Sequence, residues 1–291
     1  MSGPYELLLR RVRELERGFP TARDVTGDID SLVTYVSSVL SYYTSSVMKY
    51  EEDETATVSP SDADAIVAAS RVLRLIDELQ PSLVSGPLDR NRQRWTQTGQ
   101  HLTRHAGRVS PPSAPAFSAP KLATKRVVAV KPQGVGLYTS TATASGRSMW
   151  RAFVESYDGG LPFPLPWYTW AMEPDHEGVS VFEIRDAASW VAFIEMFGCE
   201  REGLIYPDWQ AVARQHDAAH ITIAAVAATQ GVRFRGRAGI AAAPYWDVET
   251  TFWLRWRFSN TALVEKVDGD ESLTGLSTTL LGSLILAVAV K

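Results

Sequence analysis

A single glutamate interrupts the aromatic run from Trp246 to Phe258, whose side chains alternate as in a β-strand. Apolar residues at most alternate positions from Val248 onward predict one buried face. Glu249 lies on the other face, and an ionised carboxylate is costly to bury unless it has a partner or a chemical role. Two interpretations stay open: an edge residue paired with Arg255 or Arg257, or a catalytic glutamate at the start of a core strand.

A second stretch whose side chains could bind a ligand or take part in catalysis, KPQGVGLYTST, runs from Lys131 to Thr141. Its glycines do not form a phosphate-binding GxGxxG loop, because the third glycine is missing. The stretch instead predicts a strand that presents Tyr138 and hydroxyls such as Ser140 to a pocket. The alternatives are a core-edge aromatic for Tyr138 and a strand-end or helix-capping hydroxyl for Ser140.

Basic residues cluster in the segment QHLTRHAGR, residues 100–108, where Arg104 and His105 are adjacent. Such side chains around a short apolar position can bind a diphosphate through charge-assisted hydrogen bonds. A solvated surface segment is the alternative.

His216 and His220 are four residues apart, a spacing that would place both on one face of a helix and that suggests zinc. No third ligand stands at a suitable spacing, and the intervening residues lack the glutamate of an HExxH motif. We therefore expect no metal site, and we expect Asp217 and His220 to hydrogen-bond loops in the core. The sequence contains neither a GxSxG nucleophile motif nor a Walker A phosphate loop.

In their order along the chain, the first three stretches resemble the ADP-ribosyltransferase superfamily of bacterial toxins and poly-ADP-ribose polymerases. That family has a first strand with Arg or His before a small residue, a second strand of the type G-x-G-ϕ-Y/F with nearby Ser or Thr, and a late strand bearing a catalytic Glu. The corresponding segments here are Leu102–Gly107, Gly134–Thr141 and Trp246–Trp253, and the resemblance covers about residues 100–260. The chain is also similar to actinobacterial or phage-type proteins that share GLYTST-like, YPDW and WDVE-T-W-LRW stretches.

The resemblance implies that NAD is the substrate and that its nicotinamide–ribose bond is cleaved. Glu249 would stabilise the positive charge that develops on the ribose, as carboxylates do in glycoside hydrolysis. Ser140 would position Glu249, and Asp247 would serve as the base or orienter for the acceptor. The implied NAD-binding residues are Arg104 or His105 for the diphosphate, Tyr138 stacked on nicotinamide, and Gly136 and Thr139.

The elements that must position these residues divide the chain into three parts. Residues 1–95 are expected to form a helical N-terminal domain, residues 96–265 an ADP-ribosyltransferase-like domain, and residues 266–291 an apolar tail. Short strands with intervening short helices and no βαβ rhythm indicate an α+β fold, which the resemblance refines to a split β-sandwich. The expected helices are Tyr5–Arg17, one beginning near Asp28 or Asp30, one from Ser59 to Leu79, Gly146–Tyr157, Asp186–Phe197 and Pro207–Arg214, while residues 221–229 fit a helix or a strand.

The composition of the chain argues against several classes of protein. The chain has 291 residues, 45% of them hydrophobic, and a net charge of −4, so it has no global basic surface for nucleic acid. Cys199 is the only cysteine, which precludes an intrachain disulfide and fits the cytoplasm. Residues 1–30 show no secretory signal pattern. Residues 273–290 are nearly free of charge, and either a packed segment or a membrane tail fits them, with the packed segment favoured.

The leading hypothesis is therefore an NAD-dependent ADP-ribosyltransferase, or an NAD glycohydrolase, with a macromolecular acceptor, protein or nucleic acid, and a neutralising protein as expected partners. A second hypothesis is a non-catalytic structural or interaction protein, such as a phage or mobile-element component, with the aromatic and apolar surfaces as contacts. A third is a nucleic-acid binder that uses Arg233, Arg235, Arg237 and exposed tryptophans.

Overall fold

The computed structural model describes residues 3–17, 28–47, 56–98, 113–114, 136–156, 163–175, 177–201, 203–243 and 246–268. Over these ranges the chain forms nine α-helices and eleven strands. The α+β class predicted from the sequence is confirmed at this level. The apolar segment 273–290 lies outside the described residues.

Five helices come from the N-terminal part of the chain: α1 (Pro4–Arg17), α2 (Ile29–Val47), α3 (Pro60–Ala68), α4 (Arg71–Leu79) and α5 (Pro81–Val84). The single helix predicted from Ser59 to Leu79 is wrong, because α3 ends at Ala68 and Ser70 caps the start of α4. The Ser70 hydroxyl accepts a hydrogen bond from the Leu73 N–H and donates one to the Glu16 carboxylate. A serine that caps a helix in this way satisfies backbone donors that a continuous helix would pair internally.

Seven strands form the larger sheet in the order β11-β3-β1-β2-β10-β7-β4. Neighbouring strands are antiparallel except β4 and β7, which are parallel. A second sheet has the order β5-β6-β9-β8. The strands are β1 (Gln93–Gln97), β2 (Leu137–Thr141), β3 (Trp167–Pro174), β4 (Val181–Ile184), β5 (Gly198–Arg201), β6 (Leu204–Pro207), β7 (Ala218–Ile221), β8 (Arg233–Arg235), β9 (Ile240–Ala242), β10 (Thr250–Trp253) and β11 (Phe258–Val267).

Four short helices connect the strands, and each is capped by the residue before it. They are α6 (Met149–Glu155), α7 (Ala187–Phe197), α8 (Trp209–Gln215) and α9 (Ile223–Thr229). Asp186 caps α7 as predicted, with its carboxylate accepting from the Ser189 N–H and its own N–H donating to the Ser189 hydroxyl. The ambiguous segment 221–229 is resolved as the end of β7 followed by α9, with Thr222 as the cap.

The long strand predicted from Val248 to Phe258 is wrong, because the chain leaves the sheet after Trp253 and re-enters it at Phe258. The N–H groups of Leu254 and Arg255 donate to the Asp217 carbonyl instead of to a neighbouring strand. The Asp217 carboxylate then accepts from the Arg255 and Arg257 guanidinium groups. Local alternation of side chains does not reveal this turn, since the residues that produce it are distant in sequence.

Both faces of the larger sheet are buried around β10, although the sequence alternation suggested one buried face. Phe252 belongs to a hydrophobic cluster that extends into the N-terminal helices, and Trp253 belongs to a smaller cluster on the opposite face. All four residues of β10 are buried. A central strand covered on both sides explains why apolar and aromatic residues occupy consecutive positions there.

The N-terminal helices share the principal core with the sheets. That cluster includes Leu8 of α1, Val33 of α2, Trp190 of α7 and Phe252 of β10. The division expected between residues 95 and 96 falls within β1, which pairs with β2 and β3. In the described ranges no helix combines the length and the apolar character needed to cross a membrane.

A buried arginine fastens α1 to the end of α9. Arg11 is fully buried, and its guanidinium donates to the carbonyls of Ala227 and Gln230. The last carbonyls of a helix have no partner within the helix, so these hydrogen bonds satisfy groups that would otherwise be buried without one.

We expect the substitution Arg11→Ala to lower the free energy of unfolding by about 3 kcal/mol, because it removes charged hydrogen bonds to buried carbonyls. Urea unfolding followed by circular dichroism measures the change. Arg13→Ala on the same helix is the control, since Arg13 is exposed and pairs with Glu6 at the surface; its effect should stay within about 0.5 kcal/mol. Equal effects of the two substitutions would contradict the role assigned to Arg11.

Candidate active site

Glu249 lies directly before β10, beside the residues of β2 that the sequence singled out. Its Oε2 atom accepts hydrogen bonds from the Ser140 hydroxyl at 2.7 Å and from the Thr141 N–H at 2.9 Å. Thr251 pairs with Thr139 in the antiparallel ladder, so the chain preceding β10 runs alongside Ser140 and Thr141. The alternative pairing of Glu249 with Arg255 or Arg257 is wrong, because both arginines bind Asp217.

A histidine on β7, the other strand that neighbours β10, also contacts the Glu249 carboxylate. His220 on β7 places its Nε2 atom 3.1 Å from Glu249 Oε1 and its Nδ1 atom 2.7 Å from Glu183 Oε2. Burial alone would lower the pKa of His220, but its hydrogen bonds to Glu183 and Glu249 raise it to about 9. The hydrogen bond from His220 in turn keeps the pKa of Glu183 below its ordinary value despite partial burial.

This cluster is enclosed. Ser140, His220 and Glu249 each have 0% exposure, whereas the side chain of Glu183 is 21% exposed. A buried carboxylate is tolerated only when hydrogen-bond donors replace the water it has lost. The hydroxyl, the backbone N–H and the imidazole supply those donors to Glu249, which explains how a glutamate can stand at the start of a tryptophan-rich strand.

Asp247, the second predicted catalytic carboxylate, lies in a tight turn two residues before Glu249. The Val248 N–H donates to the Trp246 carbonyl, and Asp247 has the positive φ of 67° that is uncommon outside glycine. Its N–H donates to the Gln230 side-chain oxygen at 2.7 Å. A residue held in such a conformation by its surroundings is typical of functional sites, though structural turns use it too.

Tyr138 packs against the next strand of the sheet. Its ring stacks on Phe252 with centroids 4.6 Å apart. The ring is half-buried, and its hydroxyl is enclosed without a hydrogen-bond partner among the described residues. Burial raises the pKa of Tyr138 above its ordinary value, so the hydroxyl stays protonated. The sequence offered both a nicotinamide-stacking role and a core-edge role, and Phe252 occupies one face of the ring.

Thr139 and Gly136, two further predicted NAD-binding residues, make defined contacts within the protein. The Thr139 hydroxyl donates to the Gln93 side-chain oxygen and accepts from the Trp253 indole N–H at 2.8 Å. Gly136 has φ of 71°, and a Cβ atom there would lie 2.5 Å from Phe252 Cε2 and 2.6 Å from the Trp253 carbonyl oxygen. The glycine is therefore required by the packing of β10 against β2.

The diphosphate-binding candidates Arg104 and His105 lie outside the described residues. Thus the structure brings together Ser140 and Glu249, places Tyr138, Thr139 and Gly136 on or beside the strand adjoining β10, and places Asp247 in the turn that precedes it.

No protein-family model, curated protein or solved structure matches this chain.

Sequence reasoning missed Glu183 and Thr141 and left His220 as a core residue. The signal for His220 was weak: a histidine within the otherwise small and apolar strand Ala218–Ile221. The spacing of His216 and His220 drew attention to zinc, but these residues do not share a helix, since α8 ends before His216 and β7 begins at Ala218. Within the described ranges, no group of three or more His, Cys, Asp or Glu residues is placed to hold a metal ion.

We expect Gly136→Ala to lower the free energy of unfolding by about 3 kcal/mol, because it combines an unfavourable φ with a clash against Phe252. Gly146→Ala is the matched control, since Gly146 also has a positive φ, of 97°, but nothing lies within 4 Å of a Cβ placed there. The control should cost only about 1 kcal/mol. Thermal or urea unfolding measures both changes, and a Gly136 effect no larger than the control would rule out the packing requirement.

His220 makes stability depend on pH. Its folded pKa of about 9 exceeds the ordinary 6.5, so its contribution is complete below about pH 6.5 and is lost as the pH rises through about 9. The loss is on the order of 3 kcal/mol. Urea unfolding at about pH 6 and about pH 10 should show a steeper decline for the unsubstituted protein than for His220→Gln. Parallel declines would show that His220 does not carry the pH dependence.

Proposed function

We propose that this chain is an NAD-dependent ADP-ribosyltransferase, which cleaves the nicotinamide–ribose bond and transfers ADP-ribose to a macromolecular acceptor. The observation that carries the proposal is the hydrogen bond from the Ser140 hydroxyl to Glu249, between residues 109 positions apart in the sequence. The resemblance to ADP-ribosyltransferases implies this pairing of a serine on one strand with a catalytic glutamate on another. We expect the protein to act in the cytoplasm.

The chemistry requires an anion beside the ribose. Cleavage passes through an oxocarbenium-like transition state, which a fixed carboxylate stabilises. A carboxylate has about four acceptor positions, and three donors from Ser140, Thr141 and His220 contact Glu249. One position is left for the ribose 2′-hydroxyl, the group that Glu249 would orient as charge develops.

The remaining predicted residues take supporting roles in this proposal. Arg104 or His105 would bind the diphosphate, and Asp247 would orient or deprotonate the acceptor. Tyr138 would stack on nicotinamide through the ring face opposite Phe252. Gly136 and Thr139 would contribute by holding β2 against β10. The fold in the proposal is a split β-sandwich with short helices, to which the seven-stranded and four-stranded sheets contribute.

The reaction requires that NAD reach the carboxylate of Glu249. Glu249 has 0% exposure, so NAD binding requires a displacement that opens a path to its carboxylate. The N-terminal helices pack on the same core as β10 and would influence that opening. A neutralising protein or the acceptor itself would act through these helices.

A second candidate function, a structural or interaction protein, is favoured by the same enclosure. In that case the cluster of Ser140, His220 and Glu249 is a buried polar network that specifies how the strands pair, and it performs no chemistry. Nicotinamide release separates the two functions, because only the first produces it.

We expect the purified protein to release nicotinamide from NAD and Glu249→Gln to lose this activity by on the order of 100-fold or more. Glu173→Gln is the matched control, since Glu173 is exposed on β3 and binds the Asn260 amide; it should retain full activity. Circular dichroism checks that each variant is folded.

Two outcomes would overturn the proposal: undiminished release by folded Glu249→Gln, or no release and no NAD binding by the unsubstituted protein. NAD labelled in its adenine moiety identifies the acceptor class. Label in precipitated protein or nucleic acid indicates transfer, whereas label only in free ADP-ribose indicates an NAD glycohydrolase.

A further inference from the structure

Three ionisable side chains form a continuous hydrogen-bonded row across three neighbouring strands. Glu183 on β4 pairs in register with His220 on β7, and His220 pairs with Thr251 on β10. The row runs from the partly exposed Glu183 through the imidazole to the fully buried Glu249. It therefore connects the proposed catalytic carboxylate to a second carboxylate near the surface.

The two carboxylates beside His220 favour the cationic form of its ring. Each ring nitrogen of His220 faces a carboxylate oxygen, at 2.7 Å and 3.1 Å. Both contacts suit an imidazole that donates from both nitrogens, and an imidazole with two N–H groups is a cation. The two contacts raise the pKa of His220 to about 9, so this form prevails at neutral pH.

We propose that His220 is a positioning residue: Glu183 holds it as a cation, and this cation orients the Glu249 carboxylate for the NAD-cleaving reaction. The catalytic part of this inference rests on the proposed function. The part that concerns charge and orientation rests on the described contacts alone.

Among the contacts of Glu249 in the described residues, His220 differs from the other two donors, which are neutral. Ser140 contributes a hydroxyl and Thr141 contributes a backbone N–H. These groups orient the carboxylate through hydrogen bonds, and a protonated His220 adds a full positive charge beside it. Protonated Glu249 would lose the negative charge that stabilises the oxocarbenium-like transition state.

Glu183 acts on Glu249 indirectly, through its hydrogen bond with His220. Its Oε1 atom accepts from the Leu88 N–H at 3.0 Å, while its Oε2 atom contacts His220. One carboxylate oxygen is thus anchored to the backbone and the other orients the ring, an arrangement that fixes the position of the imidazole. The charged groups that act on this row are Glu183 from β4, Glu249 from the segment before β10, and Arg185, whose charge acts on Glu183.

The arrangement predicts an alkaline limit to activity. Because the pKa of His220 is raised to about 9, the cation persists at neutral pH and is lost as the pH rises through that value. Removal of the negative charge at Glu183 should move this limit to lower pH, since one of the two anions that stabilise the cation is then absent.

The first experiment needs no substrate. Nitrogen-15 NMR of the histidine rings in the full chain follows protonation directly, and His220→Gln assigns the signal among the five histidines. We expect both ring nitrogens of His220 to be protonated at neutral pH, with titration near pH 9. In Glu183→Gln the titration should shift to lower pH, whereas in the control Glu173→Gln it should not move. A neutral ring at neutral pH overturns the inference.

The second experiment measures nicotinamide release against pH. We expect His220→Gln to lower kcat on the order of 100-fold while KM changes by less than about threefold. Glu183→Gln, which retains the imidazole, should shift the alkaline limit to lower pH. His216→Gln is the matched control, because His216 bonds Ser180 and does not contact Glu249; it should leave kcat and the pH profile unchanged.

The two experiments separate failure of this inference from failure of the proposed function. Full kcat and an unchanged pH profile in folded His220→Gln and Glu183→Gln overturn the role of His220 in an enzyme that still cleaves NAD. A doubly protonated His220 in a protein that releases no nicotinamide overturns the reaction and supports the assignment of His220 as the cation that holds Glu249.

Discussion

The carboxylate of Glu249 is fully buried, and the surrounding strands must stabilise it together. Its donors come from β2 on one side and β7 on the other, and β4 contributes through Glu183. A buried charge that loses a partner is far more costly than an exposed one, so the relative positions of these four strands are tightly coupled.

Gln230 connects this region to the N-terminal helices. Its side-chain oxygen accepts from the Asp247 N–H in the turn before Glu249, and its side-chain amide donates to the Leu40 carbonyl of α2. Its own carbonyl accepts from Arg11 of α1. Gln230, at the end of α9, therefore links two N-terminal helices to the turn that precedes Glu249. Through this link the helices contribute directly to the geometry of the candidate site.

Asp217 fixes the chain where it leaves β10, as the contacts of Glu249 fix the chain where it enters β10. Burial alone would raise the pKa of Asp217, but the Ser180 N–H and the guanidinium groups of Arg257 and Arg255 hold it below its ordinary value. Its carbonyl also receives the N–H groups at which the chain leaves the sheet. The two carboxylates differ in their partners: Asp217 binds two partly exposed arginines, whereas Glu249 binds a fully buried histidine.

Sequence by itself determined the features that depend on neighbouring residues: the α+β class, the helix caps such as Asp186, and β2 and β10 as strands. It also singled out Ser140 and Glu249, because a hydroxyl-rich strand end and a glutamate among tryptophans are unusual locally. Only the tertiary structure decided that Glu249 is fully enclosed, that His220 and Glu183 extend its hydrogen-bonded row, and that Arg255 and Arg257 belong to Asp217. The physical reason is that caps and alternation arise from contacts a few residues apart, whereas the partners of a buried charge are set by strand order and register across the whole chain.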